Sequence, residues 1–354
     1  MIIYLLFFLL IIIVSLLELN KVEQNITNVF CFFIIIALSL LVALRVDVGT
    51  DFSSYIGIFD RVNDYLDSGV SGLETGFISS ISLFKIFGLN VHYHFGFFTL
   101  LSLALILFVA CRETKFVAFV LLIYFCDLFF YYNLSGFRQS IAMGIVFLSF
   151  IFLKDRKATL FVITIILAAT FHKPAIISLI LYPLINNFKD KYFYCVCLSI
   201  PIFVQVLVVS GVFDFIDSLS YFRSTSLYVS DGYNNSDIVN LIKGSIKRLL
   251  PIILVALMFF LKMSTREIFK STMFKIYFFA LMTYLSLYYS YPDLTVRLTS
   301  YWFLFMALTI AIVLQNIKPK YHFLFAVIIY IHSFVSIYTY LSLDVYNYKT
   351  IGIF

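Results

Sequence analysis

Residues 112–157 read RETKFVAFVLLIYFCDLFFYYNLSGFRQSIAMGIVFLSFIFLKDRK, and their pattern decides the class of fold. A basic cluster, Arg112 and Lys115, precedes an apolar run over 116–132. A short polar turn over 133–136 follows. A second apolar run over 137–153 then ends on Lys154, Arg156 and Lys157. A helix crosses the hydrocarbon core with about 20 mostly apolar residues, the range being about 17–25. Both runs reach that length, and neither alternates as a barrel strand does. The stretch reads as a transmembrane hairpin with its basic ends on one side and its polar turn on the other.

Working outward, the same reading gives further spans at 1–17, 29–44, 91–111, 158–171, 174–188, 192–212, 246–261, 271–289, 298–315 and 321–341. With the hairpin, that makes about twelve. The first run has no charged leader and no small-residue cleavage site, so it is read as a retained span. Composition agrees. Of 354 residues, 62% are hydrophobic and 12% charged; soluble proteins average about 45–50% and about 25%. So few charges cannot coat a water-soluble body of 41.0 kDa. Soluble enzymes and nucleic-acid binders are excluded, and the net charge of +6 is not a DNA-binding signal. The fold class is an all-α polytopic membrane protein, one transmembrane domain over 1–354.

Basic residues set the orientation. The clusters Arg112/Lys115, Lys154–Lys157, Lys189/Lys191, Lys262–Lys275 and Lys318/Lys320 fall in alternate gaps, as cytoplasmic loops do. The remaining gaps are then outside, including two long loops, 45–73 and 213–245. Residues 74–90 show helical periodicity with a polar face, and we place them flat on the outer surface as an interfacial helix, so that 45–90 is an outer loop plus that helix.

This orientation leaves 14 of the 25 Lys and Arg inside and 11 outside. Six of the outer eleven are Arg: Arg45, Arg61, Arg138, Arg223, Arg248 and Arg297. The positive-inside rule disfavours basic residues there, so an outer Arg excess needs a cause. The guanidinium is a planar fork that grips phosphate by two bonds at once. Arg138 and Gln139 sit just inside a helix start after Gly136, where free N–H groups already suit an anion. Arg297 also lies at the start of a span. One reading is a cluster that binds a lipid-linked phosphate or diphosphate. The other is snorkelling to headgroups, or pairing with Asp47, Asp51 and Asp293.

Among the acids, Asp51 and Glu74 stand beside Gly and aromatic residues and are candidates to take a proton from a sugar hydroxyl. Asp60, Asp64 and Asp67 read as a solvated loop. Asp127 is the one acid well within a span and is read as a cap for Tyr124 and Asn133. His172, at the turn before Pro174, is either a general base or a structural histidine. His92 and His94 would hold a metal only if carboxylates converged on them; His322 and His332 read as ordinary helix residues. The five cysteines show no metal or disulfide spacing.

The motifs in order resemble the EpsG-like family of polysaccharide polymerases. Arg45-Val-Asp-Val-Gly-Thr-Asp-Phe-Ser-Ser-Tyr55 is similar to its R-x(3)-G-T-D-x(3)-Y element, and Glu74-Thr-Gly-Phe77 to its E-x-G-[FY] element. Arg138-Gln139 resembles its R-Q-x-x-A helix start, Phe171-His172 its F-H turn, and Arg297 its late outer Arg. The resemblance implies a Wzy-type polymerase of O-antigen, capsule or exopolysaccharide. It implies a metal-independent, GT-C-like enzyme with no cofactor, acting at the outer face of the bacterial inner membrane. The substrate is then an undecaprenyl-diphosphate-linked oligosaccharide, with membrane lipid and a chain-length regulator and flippase of the same pathway as further partners. Arg138 and Arg297 would stabilise the leaving diphosphate, helped by Arg45, Arg223 or Arg248. His172 or Asp51 would be the base, with Gln139, Tyr55 and Glu74 on the substrate. An O-antigen ligase shares this chemistry, and a flippase or other transporter of the lipid-linked unit is the rival from another class. Membrane acyltransfer would need a histidine pair that the sequence does not offer.

Overall fold

A computed structural model describes residues 1–62, 72–210 and 238–351. Among them there is no strand; one isolated bridge joins Arg45 to Thr350. Seven helices are long and apolar enough to cross a membrane, by length and composition: Ile2–Leu19, Gln24–Leu44, Val91–Glu113, Phe137–Lys154, Asp190–Leu207, Pro292–Asn316 and Pro319–Leu341. Five more expected spans are shorter apolar helices: Val117–Tyr132, Ala158–Phe171, Lys173–Asn186, Leu250–Phe260 and Thr272–Leu287. All twelve expected segments are therefore helical, and seven of them reach spanning length. The architecture is that of a polytopic helical membrane protein.

Contacts divide the chain into two compact units, Met1–Ser178 with Ile310–Phe354, and Leu179–Thr309. The first unit is built from α1 (Ile2–Leu19), α2 (Gln24–Leu44), α3 (Phe52–Arg61), α4 (Thr75–Ile86), α5 (Val91–Glu113), α6 (Val117–Tyr124), α7 (Phe137–Lys154) and α8 (Ala158–Phe171). The second contains α9 (Leu181–Asn186), α10 (Asp190–Val209), α11 (Ile238–Arg248), α12 (Leu250–Phe260), α13 (Arg266–Lys270), α14 (Thr272–Leu287) and the start of α15 (Pro292–Asn316). The last helix, α16 (His322–Leu341), returns to the first unit.

Local chemistry explains several boundaries. Asn90 caps α5 by accepting the N–H groups of His92 and Tyr93. Ser271 caps α14 by accepting from Phe274. α6 continues through a π-helical turn, Phe125–Phe129, that widens the helix around Asp127. In the first unit α5 packs between α2 and α7, and α7 packs on α8. Gly144 lets α7 approach closely: a Cβ there would stand 3.1 Å from the Ser102 backbone of α5. Small residues serve such crossings because apolar lipid gives no hydrophobic drive between helices.

Ion pairs fix which loops share an end. Lys154 pairs with Glu113 at 2.7 Å, and Asp155 lies 3.9 Å from Arg112 and 3.2 Å from Lys157. Two basic clusters therefore meet at the C-terminal ends of α5 and α7. The 18 residues of α7 put its other end about 27 Å away at 1.5 Å per residue. In the second unit Lys275 pairs with Asp190 at 2.7 Å and joins two further basic loops. There α10 packs on α14, and Val204, Leu287 and Tyr291 form a small apolar cluster.

The segment expected to lie flat on the membrane contains the helix α4. It buries Phe77, Ser80, Ile81, Ser82 and Phe84, and packs on α5 and α8. Arg223 and most of the 213–245 loop lie outside the described residues.

Candidate active site

At the end of the first unit away from the basic clusters, residues 45–51 leave α2 and lie across the turn before α7. Gly49 makes this possible. Its φ of 94° is a left-handed value that side chains resist, and a Cβ there would fall 1.8 Å from the Leu134 carbonyl oxygen. Thr50 N–H donates to Ser135 Oγ at 3.0 Å. A C-terminal strap holds the loop from the other side. Val46 N–H donates to the Lys349 carbonyl and Gly49 N–H to that of Val345, both at 2.9 Å, and Ile351 N–H donates back to Leu44 at 2.9 Å.

Arg45 is enclosed, with no exposed surface. Its Nη1 donates to the carbonyl oxygens of Leu134 at 2.5 Å and Asn133 at 3.3 Å. Its guanidinium carbon lies 4.8 Å from the Phe95 ring centre and 5.5 Å from that of Phe52. Burial lowers its pKa to about 10, so it keeps its charge at neutral pH. Nε and Nη2 have no hydrogen-bond partner. A cation so placed clamps the turn that starts α7. Behind that turn, Tyr124 donates to Asn133 Oδ1 at 2.5 Å, and Asn133 Nδ2 donates to Ser140 Oγ at 2.9 Å and Ser102 Oγ at 3.3 Å. Such satisfied polar networks rigidify a low-dielectric interior.

Arg138 stands on this platform in the first turn of α7. Its Nη1 donates to Glu74 Oε2 at 2.5 Å, and Glu74 Oε1 accepts the Lys173 N–H at 3.2 Å. The Arg138 N–H, one of the free donors of the helix start, points to the Tyr55 hydroxyl oxygen at 3.4 Å. Tyr55 is buried among the rings of Phe77, Phe95 and Phe137. Burial pushes its phenol above the usual range, partly offset by the nearby Arg138 charge. Glu74 is 7% exposed and the Arg138 side chain 26%. Arg138 Nε lacks a hydrogen-bond partner. One edge of the fork is thus anchored, and the group stays partly open to an anion.

Gly76 brings the F-H turn into the same cluster. A Cβ at Gly76 would meet Thr170 Oγ1 at 2.4 Å and the Thr170 carbonyl at 2.9 Å. His172 follows, buried, and its carbonyl accepts from Ala175. Asp51 occupies the N-cap position of α3 without capping it; it accepts from Thr50 Oγ1 at 3.0 Å. Gln139 is buried beside Arg138 in α7. The structure thus brings Arg45, Asp51, Tyr55, Glu74, Arg138, Gln139 and His172 to one end of one unit.

Two expected residues belong to the other unit. Arg248 lays its guanidinium carbon 3.9 Å from the centre of Tyr284 and 4.8 Å from that of Phe303, with Nη1 donating to the Gly244 carbonyl at 2.9 Å. Arg297 lies part-buried in the second turn of α15, where its carbonyl accepts from Ser300 Oγ at 2.8 Å.

The contacts of three residues, His94, His92 and Asp127, were not legible in the sequence. His94, 1% exposed, lies 3.0 Å from Ser80 Oγ inside a ring of phenylalanines, while His92 Nδ1 lies 2.8 Å from the Ala43 carbonyl oxygen. Asp127 does not cap Tyr124 and Asn133. It accepts from Ser336 Oγ, lies 3.2 Å from His332 Nε2, and its carbonyl accepts from Tyr340, so α16 is bound to the π-turn. His332 is correspondingly more than an ordinary helix residue. For Asp127 and His332 the usable signal was that each is a lone ionisable group in an apolar run, and such groups pair within the membrane.

A family model described as the EpsG family matches residues 28–350. Neither the curated proteins nor the solved structures contain a significant match.

Proposed function

The chain belongs to the EpsG family, a Wzy-like polymerase family, and from that premise we propose that it extends a polysaccharide on a polyprenyl-diphosphate carrier. The donor is a growing glycan linked through diphosphate to undecaprenol, and the acceptor is one lipid-linked repeat unit. The acceptor hydroxyl attacks the anomeric carbon, the bond to the carrier diphosphate breaks, and negative charge grows on that leaving group. The work is done at the outer face of the bacterial inner membrane by a chain that crosses about twelve times.

One observation carries this reading. Four motif elements far apart in sequence meet around Arg138, through Glu74, Tyr55, Lys173 and Gly76 against Thr170. A guanidinium fixed on one edge and partly open on the other is suited to a developing diphosphate charge. We assign Arg138, with Arg297, to the leaving group. Glu74 and Tyr55 orient Arg138. Arg45, being enclosed, positions the turn on which Arg138 stands. Asp51 and His172 are the groups at this end that can take the acceptor proton. Gln139, Arg223 and Arg248 are assigned to the glycan and its carrier. A chain-length regulator and a flippase of the same pathway would work beside it.

The sugar-lipid profile of a deletion strain tests the proposal. A polymerase leaves single lipid-linked repeat units on the outer face. Accumulated long lipid-linked polymer would make the chain a ligase, and repeat units trapped on the inner face would make it a flippase.

A further inference from the structure

At the opposite end of the first unit, a helix length away along the 18 residues of α1 or the 21 of α2, lies a cavity of about 570 Å³. It opens where α1 ends, α2 and α6 begin, and α16 starts. Its lining has two chemistries. Lys21 and Lys115 form a basic rim, with Glu23 and the imidazole of His322 beside them. Glu18 lines the inner part, where its Oε1 accepts the Ala118 N–H at 2.7 Å. Glu18 Oε2 is buried with no hydrogen-bond partner, and the residue is 8% exposed. The Val117 and Phe119 N–H groups also bear on this carboxyl at the start of α6, and its second oxygen, buried without a hydrogen-bond partner, calls for a donor.

Phe116 and Leu314 supply apolar wall between the two charged sets. Lys21 is held in this geometry at φ 59°, a backbone conformation that favours Gly or Asn, by its N–H to the Glu18 carbonyl. A ligand that fits must carry an anion for the rim, an amine for Glu18, and apolar surface for the wall. A cavity of this size holds a headgroup rather than a whole lipid.

We infer that this cavity binds the phosphoethanolamine headgroup of a membrane phospholipid, its phosphate on Lys21 and Lys115 and its ammonium on Glu18. The site lies at the basic-loop end and is independent of the glycan reading.

Native mass spectrometry of the full chain tests it, with the protein released from micelles holding equal phosphatidylethanolamine and phosphatidylglycerol of the same acyl chains. The expected result is about tenfold preferential retention of phosphatidylethanolamine, as one added charge-assisted contact gives. Glu18→Gln keeps an acceptor for Ala118 and should erase the preference. Lys21→Asn with Lys115→Gln should lower retention of both lipids about tenfold, as lost phosphate contacts do; Asn suits the left-handed backbone at 21. Should the double variant fail to fold by size-exclusion profile and helicity, Lys115→Gln alone carries the test. Equal retention of the two lipids by the unaltered chain would overturn the inference. So would a folded lysine variant that keeps phosphatidylethanolamine undiminished. Free phosphoethanolamine is added as competitor: displacement at matched concentration assigns the same headgroup chemistry to a soluble source, and failure to displace assigns it to lipid.

Discussion

Replacing Glu74 by alanine separates the part played by Arg138 from the part played by its anchor. The ion pair is short, 2.5 Å, with Glu74 7% and Arg138 26% exposed. Hydrogen bonds to charged groups contribute about 1.5–3 kcal/mol, and the Lys173 N–H loses a further neutral-donor bond of about 0.5–1.5 kcal/mol. Arg138 is open enough to regain water, so the loss of stability should fall at about 1–3 kcal/mol. Catalysis should suffer more. Arg138→Ala removes the charge itself, an effect on the order of 10²–10³-fold for a preorganised charge-stabilising donor. Glu74→Ala keeps the charge but frees its position, for which about ten- to a hundredfold is expected. Because Glu74 acts through Arg138, the double variant should be no slower than Arg138→Ala. Glu74→Gln, which keeps an acceptor, should fall between Glu74→Ala and the unaltered chain. The assay is polymer length and the pool of lipid-linked repeat units in a deletion strain carrying each variant at matched membrane level. Near-normal polymer from Arg138→Ala refutes the assignment of Arg138. Losses that multiply in the double variant refute the anchoring role of Glu74.

Further outcomes follow from other contacts. Gly49→Ala combines a left-handed backbone with a Cβ 1.8 Å from a backbone oxygen, so thermal melting in detergent should show a loss of about 2–4 kcal/mol and the polymer should be lost with it. Deleting residues 343–354 removes three backbone hydrogen bonds to the 44–49 loop, about 0.5–1.5 kcal/mol each; limited proteolysis should then cut near Asp47, which stays protected in the full chain. Asp127→Ala removes the carboxylate contacts to Ser336 and His332 and leaves the Tyr340 bond to the backbone carbonyl; interhelical polar contacts in membranes average about 0.6 kcal/mol with a maximum near 1.7, so a total loss of about 1–2 kcal/mol is expected in a detergent melt. An unchanged melting temperature would mean that these contacts do not hold α16 in place.

What the sequence by itself determined is what rests on local pattern. Apolar runs near spanning length gave the class, and each of the twelve expected segments is a helix, because backbone groups in lipid must be satisfied within the segment. Seven reach spanning length among the described residues; Ala158–Phe171 was already short as a run of sequence, whereas hydropathy alone did not reveal that Leu250–Phe260 would stop short of the expected 246–261. The motif residues 45–55, 74–77, 138–139 and 171–172 were likewise visible as an ordered set, and the family match covers them. Only the tertiary structure decided which of them touch. Glu74 and Arg138 are 64 residues apart, Arg45 and Leu134 are 89, and Asp127 and Ser336 are 209. Helical period fixes which face a residue occupies, not which distant face it meets; that depends on how the helices pack, and small residues such as Gly144 and Gly76 set how closely they approach. The same dependence turned Arg45 from an apparent surface cation into an enclosed clamp, and joined a lone aspartate to a lone histidine within the apolar interior.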